Sequence, residues 1–251
     1  MPARQSANPV AVVLVAHGER GGAFSNAVLL GHRDRVAARL PGVAVHAGVL
    51  SGDPAFEDAL AGAAATGPGP ILVYPFFMAA GYFVGTKIPK RIADAGLAGR
   101  CRILAPLSAA PSLPDLIVRE ALRCGPELGA PAADCRLVVC GHGSEVSRAS
   151  AEATCKAVAA IASTAPFASV VPAFLEEEPF LPDVLAADAR PTVVSGFFNG
   201  DGLHARDDVP EAIAAASGRT VYTGPIGAVV DVAGIMVDAI EAEMSGLVSV
   251  P

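Results

Sequence analysis

The amino-acid sequence predicts an α/β protein made of two tandem domains, each a parallel sheet with helices on both faces. Two observations support this prediction. Short apolar runs rich in β-branched residues alternate with Ala-rich amphipathic stretches, which is the pattern of buried strands connected by helices. In addition, the landmarks of the first half of the chain return in the same order in the second half, which indicates a duplicated βα unit.

The first landmark is a strand that ends in a His-Gly turn. Residues 10–16 form an apolar run that closes on His-Gly at 17–18, and residues 136–140 form a second run that closes on Gly-His-Gly-Ser at 141–144. An Ala-rich stretch with helical periodicity follows each turn. Each half therefore begins with a strand, a tight loop and a helix.

The second landmark is a strand that leads into a Phe-Phe segment. Residues 70–75 precede the segment 76–83, and residues 191–196 precede its counterpart 197–204. The two runs align without a gap as far as an apolar residue followed by Pro, at 88–89 and 209–210. Between the two landmarks, Asp53-Pro54 lies opposite Glu178-Pro179.

These repeats divide the chain into a first domain over residues 1–125 and a second over residues 134–251. The boundary is a stretch rich in Pro, Gly and Ala with few apolar anchors. Strands that alternate with helices imply right-handed crossovers and parallel pairing. In such sheets, ligands bind beyond the carboxyl ends of the strands, where both His-Gly turns lie.

Composition narrows the class of protein. Of 251 residues, 52% are hydrophobic and 17% charged, which excludes a disordered chain. No apolar run approaches the roughly 20 residues that span a bilayer, and residues 1–9 lack the features of a signal peptide. Five Cys without a C-x-x-C pair argue against disulfides or a zinc knuckle. We therefore expect a cytoplasmic protein without a membrane partner.

The net charge of −7, without a block of basic residues, argues against nucleic acid as a partner. An anionic ligand would need a local basic patch on such a protein. The first half offers one in Lys87, Lys90 and Arg91, where the second half has the acidic residues Asp208 and Glu211.

Three candidate metal ligands occur in the second half, each at or just past a predicted strand end. They are His142, Glu176 and His204. Two imidazoles and a carboxylate suit a borderline divalent ion such as Co²⁺, Fe²⁺, Ni²⁺ or Zn²⁺. Imidazole can also accept a proton near neutral pH. In the first half His17 is retained, but Phe83 replaces the second His and Ser51 falls opposite Glu176.

The ordered motifs Gly-His-Gly-Ser, Phe-Leu-Glu-x-x-Pro and Phe-Phe-x-x-Gly-x-His-x-x-x-Asp-Val-Pro resemble those of the sirohydrochlorin chelatases, the CbiX-type class II chelatases of cobalamin and siroheme synthesis. The resemblance covers nearly the whole chain in a two-repeat long form. It implies two flavodoxin-like domains, insertion of cobalt or iron into sirohydrochlorin, and no ATP or organic cofactor. It also implies that His142 and His204 are metal ligands and proton acceptors, with Glu176 as their carboxylate partner.

On this interpretation the substrates are a divalent metal (Co²⁺, Fe²⁺ or Ni²⁺) and an anionic tetrapyrrole. The tetrapyrrole would contact residues on both halves of the chain: His17, Lys87, Lys90, Arg91 and Ser144. The protein would be a monomer or a homodimer. His17 remains open between a relic of the duplication and a substrate contact.

Other interpretations remain at this point. Glu176, Glu177 and Glu178 are also compatible with a solvated acidic turn, and either His with a structural role. The loss of the His at Phe83 favours a degenerate, non-catalytic tetrapyrrole or metal carrier. The turn at residues 16–20 is similar to the Arg-His-Gly-Glu turn of histidine phosphatases, but Ala16 stands where that chemistry needs an Arg.

Overall fold

The computed structural model describes residues 10–19, 26–144 and 146–248. For Val248 it describes the backbone alone. The expectation of no signal peptide concerns residues 1–9, which lie outside the described residues. Of the turn that is similar to that of histidine phosphatases, Arg20 also lies outside them. Within the described part, no helix is both long enough and apolar enough to cross a membrane. All five cysteines are free thiols.

Within the described residues, eight strands form two four-stranded parallel sheets, which confirms the predicted fold class. The strands of the first sheet are β1 (Ala11–Ala16), β2 (Ala44–Val49), β3 (Ile71–Pro75) and β4 (Cys101–Ile103). Those of the second sheet are β5 (Arg136–Gly141), β6 (Ser169–Phe174), β7 (Thr192–Gly196) and β8 (Thr220–Pro225). The strands predicted from the two landmarks are found within one residue of their expected bounds.

In the part of the chain that the structure describes, eight α-helices connect and flank these strands. They are α1 (Ala27–Arg39), α2 (Phe56–Ala65), α3 (Ile88–Asp94), α4 (Leu113–Cys124), α5 (Ala149–Ala162), α6 (Leu181–Ala186), α7 (Val209–Ala215) and α8 (Val232–Val248). Short 3₁₀ turns complete the connections. A π-helical turn precedes α3 at Phe83–Lys87, and a second precedes α7 at His204–Asp208.

Both sheets have the same strand order, with the first strand of each repeat between the second and the third. The orders are β2-β1-β3-β4 and β6-β5-β7-β8. The central strands β1 and β5 are almost entirely buried and read as continuous apolar runs, as strands covered on both faces do. In this topology the crevice between the first and third strand is the switch point at which ligands bind.

The chain divides into two compact units that differ from the sequence repeats. The first unit comprises Met1–Phe77, Tyr82–Leu107 and Ala233–Pro251, and the second comprises Met78–Gly81 and Ser108–Val232. The final helix of each repeat therefore belongs to the unit of the other repeat. In the first unit an Arg102–Glu243 ion pair of 2.5 Å joins β4 to α8, and in the second α4 packs against α5, β7 and β8.

The apolar core of each unit lies between its sheet and its helices. In the first unit it includes Val13, Phe56 and Ile88, which are fully buried. In the second it includes Val138, Leu181 and Val209, which are also fully buried. The same three places in the repeat (central strand, second helix and third helix) supply the core on both sides.

A buried arginine stabilises the amino-terminal end of the second sheet. Arg136, at the start of β5 and only 4% exposed, donates hydrogen bonds to the Thr192 hydroxyl (2.7 Å) and to the carbonyls of Val184 (2.8 Å) and Leu185 (3.2 Å). Burial lowers the pKa of the Arg136 guanidinium, and the nearby Asp188 carboxylate opposes this shift. The side chain thereby ties β5, β7 and α6 together.

We expect Arg136→Met to lower the stability of the second unit by about 2–4 kcal/mol, because a buried hydroxyl and two buried carbonyls lose their donor. The midpoint of urea-induced unfolding, followed by circular dichroism, measures the effect. Arg148→Met is the matched control, since that side chain is 84% exposed and its ion pair with Glu152 spans 3.9 Å. Equal shifts in the two variants would contradict the prediction.

Candidate metal centre

Three neighbouring strands of the second sheet each deliver one candidate ligand to the same edge. His142 directly follows β5, Glu176 comes two residues after β6, and His204 begins the π-helical turn after β7. Because β5 lies between β6 and β7, the carboxyl ends of these strands are adjacent. His142 and His204 therefore flank the switch point of the sheet.

The three side chains form a compact cluster. One ligand atom from each of His142, Glu176 and His204 lies within 4.8 Å of the others. The Nε2 atoms of the two histidines are 3.0 Å apart, and their rings meet edge to face at 87°. The Glu176 carboxylate is 3.5 Å from Nδ1 of His142. All three side chains are partly exposed, so that the cluster is open to an incoming ion.

Hydrogen bonds orient both imidazoles through Nδ1. Nδ1 of His142 lies 2.9 Å from the Gly143 carbonyl, and Nδ1 of His204 lies 2.5 Å from the Asp208 carboxylate. Because both partners are acceptors, they favour the tautomer in which Nδ1 carries the proton and Nε2 keeps its lone pair. Two lone pairs that face each other at 3.0 Å repel unless a cation lies between them. The pair is thus arranged for a shared proton or a metal ion.

The spacing of the two nitrogens also fits a metal ion. Two imidazole nitrogens that each lie about 2.0–2.1 Å from one tetrahedral ion are about 3.3 Å apart. The Nε2 atoms differ from that separation by only a few tenths of an ångström. A small rotation of either ring would admit the ion.

The loop that carries His142 is held by its neighbours. The His142 carbonyl accepts hydrogen bonds from the amides of Leu175 (3.1 Å) and Glu176 (2.9 Å), which connects the two ligand loops. Gly143 adopts a φ of +76°, and a Cβ at this position would come within 2.9 Å of the Glu177 side chain. The close approach of the two loops therefore requires glycine here.

Of the three consecutive glutamates, Glu176 is the one in the cluster. Glu177 accepts a hydrogen bond of 3.0 Å from the amide of Ser144 and so braces the histidine loop. Glu178 is exposed, and its peptide bond to Pro179 is cis. The Ser144 hydroxyl accepts hydrogen bonds from the amides of Val146 and Ser147, which shape the loop next to His142.

Asp208 is a site residue that the sequence argument did not include. Its carboxylate contacts His204 from the other end of the same π-helical turn, four residues along the chain. Metal-binding histidines commonly donate their second ring N–H to a carboxylate, which sets the tautomer and raises the basicity of the ligand nitrogen. The signal in the sequence that could have identified Asp208 is its position four residues after His204, just before Val-Pro.

Cys140 lies two residues before His142, yet it is no part of the cluster. Its side chain is fully buried within β5, and burial raises the pKa of the thiol to about 12. A thiol must lose its proton to bind a metal. The neighbouring cysteine is therefore a core residue.

The first unit repeats this geometry with different chemistry. His17 follows β1, and its ring meets the Phe83 ring edge to face at 4.5 Å and 88°, compared with 4.4 Å and 87° for His142 and His204. The Ser51 amide donates a 2.9 Å hydrogen bond to the His17 carbonyl, as that of Glu176 does to His142. Lys87 occupies the place of Asp208 at the end of the turn. A metal-binding triad is thus absent from these positions.

The three basic residues predicted to bind substrate lie in the first unit and differ in their partners. The ammonium of Lys90 pairs with Asp94 at 2.8 Å, and Arg91 pairs with Glu57 at 3.2 Å. Lys87 has no carboxylate partner among the described residues, and its ammonium lies 5.8 Å from the centre of the Tyr82 ring.

Fold and site together define a two-domain α/β protein with a candidate metal centre at one switch point. The sequence profile of the CbiX family matches the chain twice, at residues 11–123 and 136–243. The chain belongs to the CbiX family. No sequence among the curated proteins matches it.

Solved structures agree with this assignment. CbiX, the terminal enzyme for biosynthesis of siroheme in denitrifying bacteria, is 31% identical, with a TM-score of 0.76 over 92% of this chain and 98% of its own. SirB from Bacillus subtilis, solved with Fe³⁺, is 17% identical with a TM-score of 0.76, over 95% of this chain and 98% of its own.

A third relative is larger. DR2241 from Deinococcus radiodurans, a multi-domain protein with structural similarity to chelatases, is 22% identical with a TM-score of 0.78 over 92% of this chain. The match covers 54% of DR2241, so this chain spans about half its length. At their low identities, SirB and DR2241 show that the fold is shared.

We expect Asp208→Asn to weaken metal binding by about 10–100-fold, because the neutral amide supports the His204 imidazole less well than a carboxylate does. Isothermal titration of the metal-free protein with Co²⁺ measures the change. Asp207→Asn removes the same charge one residue away, from an exposed side chain, and should bind Co²⁺ as the wild type does. Similar losses in both variants would show a general charge effect instead.

Proposed function

We propose that the protein is a sirohydrochlorin chelatase, which inserts Co²⁺ or Fe²⁺ into sirohydrochlorin without ATP or an organic cofactor. One observation carries the proposal: a member of the CbiX family holds two imidazoles and a carboxylate within 4.8 Å at the switch point of a parallel sheet. The name of the 31% identical CbiX as a terminal enzyme of siroheme biosynthesis supports the tetrapyrrole substrate. Ni²⁺ is a third candidate metal.

In this mechanism, Nε2 of His142, Nε2 of His204 and the Glu176 carboxylate bind the metal substrate. The open side of the cluster leaves room for the macrocycle to approach. Insertion of a divalent ion exchanges it for the two N–H protons of the ring, and these protons need acceptors. Glu176 and the imidazoles, once they release the metal, accept them and pass them to solvent.

Substrate carboxylates would bind to basic and polar groups. Lys87 is the foremost candidate, since its ammonium lacks a carboxylate partner among the described residues, while Lys90 and Arg91 already form ion pairs. His17 and Ser144 are proposed as further substrate contacts. We propose a cytoplasmic enzyme that acts as a monomer or a homodimer.

A second candidate function is a carrier that binds metal or tetrapyrrole and delivers it without turnover. Phe83 in place of the second histidine favours it, because the first unit lacks a ligand set of its own. Family membership, in contrast, favours the chelatase over a histidine phosphatase. A time course of sirohydrochlorin absorption with each metal separates the chelatase from the carrier. Spectral conversion faster than in protein-free buffer supports the chelatase, and tight binding without conversion supports the carrier.

We expect His142→Ala, His204→Ala and Glu176→Gln each to lower the rate of metal insertion by about 100-fold or more, because the ion loses a ligand and the ring a proton acceptor. The rate of spectral change under anaerobic conditions measures the loss. Glu178→Gln removes a charge from an exposed residue two positions from Glu176 and should keep the wild-type rate. Full activity of the double variant His142→Ala/His204→Ala would refute the proposed mechanism.

We expect Lys87→Ala to raise KM for sirohydrochlorin by about 3–10-fold, with a loss that shrinks at high salt, since the proposed contact is an ion pair that solvent can reach. Lys90→Ala and Arg91→Ala should have smaller effects, because Asp94 and Glu57 already neutralise them. Steady-state kinetics at two ionic strengths tests this order. Lys156→Ala, on the exposed face of α5, controls for net charge, and an equal effect there would contradict a specific contact.

A further inference from the structure

Large apolar side chains on the surface are unevenly distributed in this protein. Six are exposed among the described residues, and the two most exposed are Val146, at 96%, and Leu203, at 69%. Val146 lies on the loop that carries His142, and Leu203 directly precedes His204. The two histidine loops of the candidate metal centre therefore each present an apolar side chain to solvent.

The position of Leu203 is occupied by a large, exposed apolar residue in both repeats. Its counterpart is Tyr82, the third most exposed large apolar side chain, at 60%. Each of the two residues directly precedes a π-helical turn, and their backbone angles are nearly the same. Tyr82 has φ −51° and ψ −40°, and Leu203 has φ −48° and ψ −46°. The next residue differs between the repeats, Phe83 in one and His204 in the other, whereas this position is a large exposed apolar residue in both.

Single exposed apolar residues are common on protein surfaces and need no explanation. Here, however, the two most exposed ones lie in the two loops that carry His142 and His204, and the third, Tyr82, occupies the position equivalent to Leu203. Exposed apolar groups around a few convergent polar groups are typical of a ligand-binding surface. The polar groups would bind the metal, and the apolar groups would contact an apolar surface of the second substrate.

We propose that Val146 and Leu203 form an apolar rim that packs against the conjugated ring system of the tetrapyrrole and positions it over the metal. The proposal rests on the proposed chelatase function. To receive the ion, the ring nitrogens must come within bonding distance of a metal that is itself about 2 Å from Nε2 of His204. A planar macrocycle in that position must extend over residues next to His142 and His204.

We identify the tetrapyrrole as the ligand of this rim because the ligand must offer an apolar surface and also reach the metal. The faces of a tetrapyrrole are apolar, and its carboxylates lie at its edge, where basic groups can bind them. Val146 and Leu203 are thus positioning residues: they would act on the binding of the tetrapyrrole and leave the binding of the metal alone unchanged.

Direct binding measurements test this assignment without turnover. Metal-free sirohydrochlorin is titrated into the full-length protein and followed by its absorption, and Co²⁺ is titrated separately by calorimetry. We expect Leu203→Ser and Val146→Ser each to raise Kd for sirohydrochlorin about fivefold to tenfold and to leave Kd for Co²⁺ unchanged. Leu203→Met should bind sirohydrochlorin as the wild type does. Leu122→Ser, on α4 and 39% exposed, is the matched control.

The possible outcomes are distinct. Unchanged sirohydrochlorin binding in the Ser variants would overturn the rim, as would a change in sedimentation that shows the two residues to be part of a protein–protein interface. If the wild type binds sirohydrochlorin but does not insert metal, the chelatase function fails while the Ser variants still decide the rim. If the wild type does not bind sirohydrochlorin at all, both proposals are wrong.

Discussion

The parallel pairing of β5 with both β6 and β7 is the constraint on which the candidate metal centre depends. It brings the carboxyl ends of three strands to one edge, so that His142, Glu176 and His204 meet although they are 34 and 28 residues apart in the chain. The hydrogen bonds from the amides of Leu175 and Glu176 to the His142 carbonyl extend this pairing beyond the sheet. A shift of β6 by one residue would turn Glu176 away and break both bonds.

Duplication followed by divergence explains why the two units share geometry but differ in chemistry. The edge-to-face ring pair recurs in both, and so does the hydrogen bond to the histidine carbonyl, donated by the amide of Ser51 in one unit and of Glu176 in the other. Where the second unit has Glu176, His204 and Asp208, the first has Ser51, Phe83 and Lys87. The acidic, cation-binding positions of the second unit are thus neutral or basic in the first, which suits the proposed contact with an anionic substrate.

Much of this arrangement could be predicted from the sequence. Apolar runs predicted β1, β3, β5 and β7 to within one residue, because a strand buried on both faces is a short, almost continuous apolar run. The internal repeat predicted two similar sheets. The clustering of His142, Glu176 and His204 followed from their places after strands. The support of His204 by Asp208 was missed, since a carboxylate four residues from a histidine is common on exposed helices. The roles of Glu177 and Ser144 depend on loop geometry that composition does not encode.

Which helices belong to which compact unit could not be predicted from the internal repeat. Self-similarity shows which segments have a common origin, but it does not show onto which sheet a helix packs. Helices α4 and α8 follow equivalent strands, and each belongs to the unit of the other repeat. The packing depends on contacts between distant residues, of which the Arg102–Glu243 pair between β4 and α8 is one example.

This exchange of final helices between the two units limits where the chain can be divided. A cut in the linker near residue 130 would leave each half-protein without one helix that its sheet needs and with one helix that has lost its place. We therefore expect neither half to form a complete folding unit by itself. The two halves would fold only when made together, as a complementing pair, because each supplies a helix that belongs to the unit of the other.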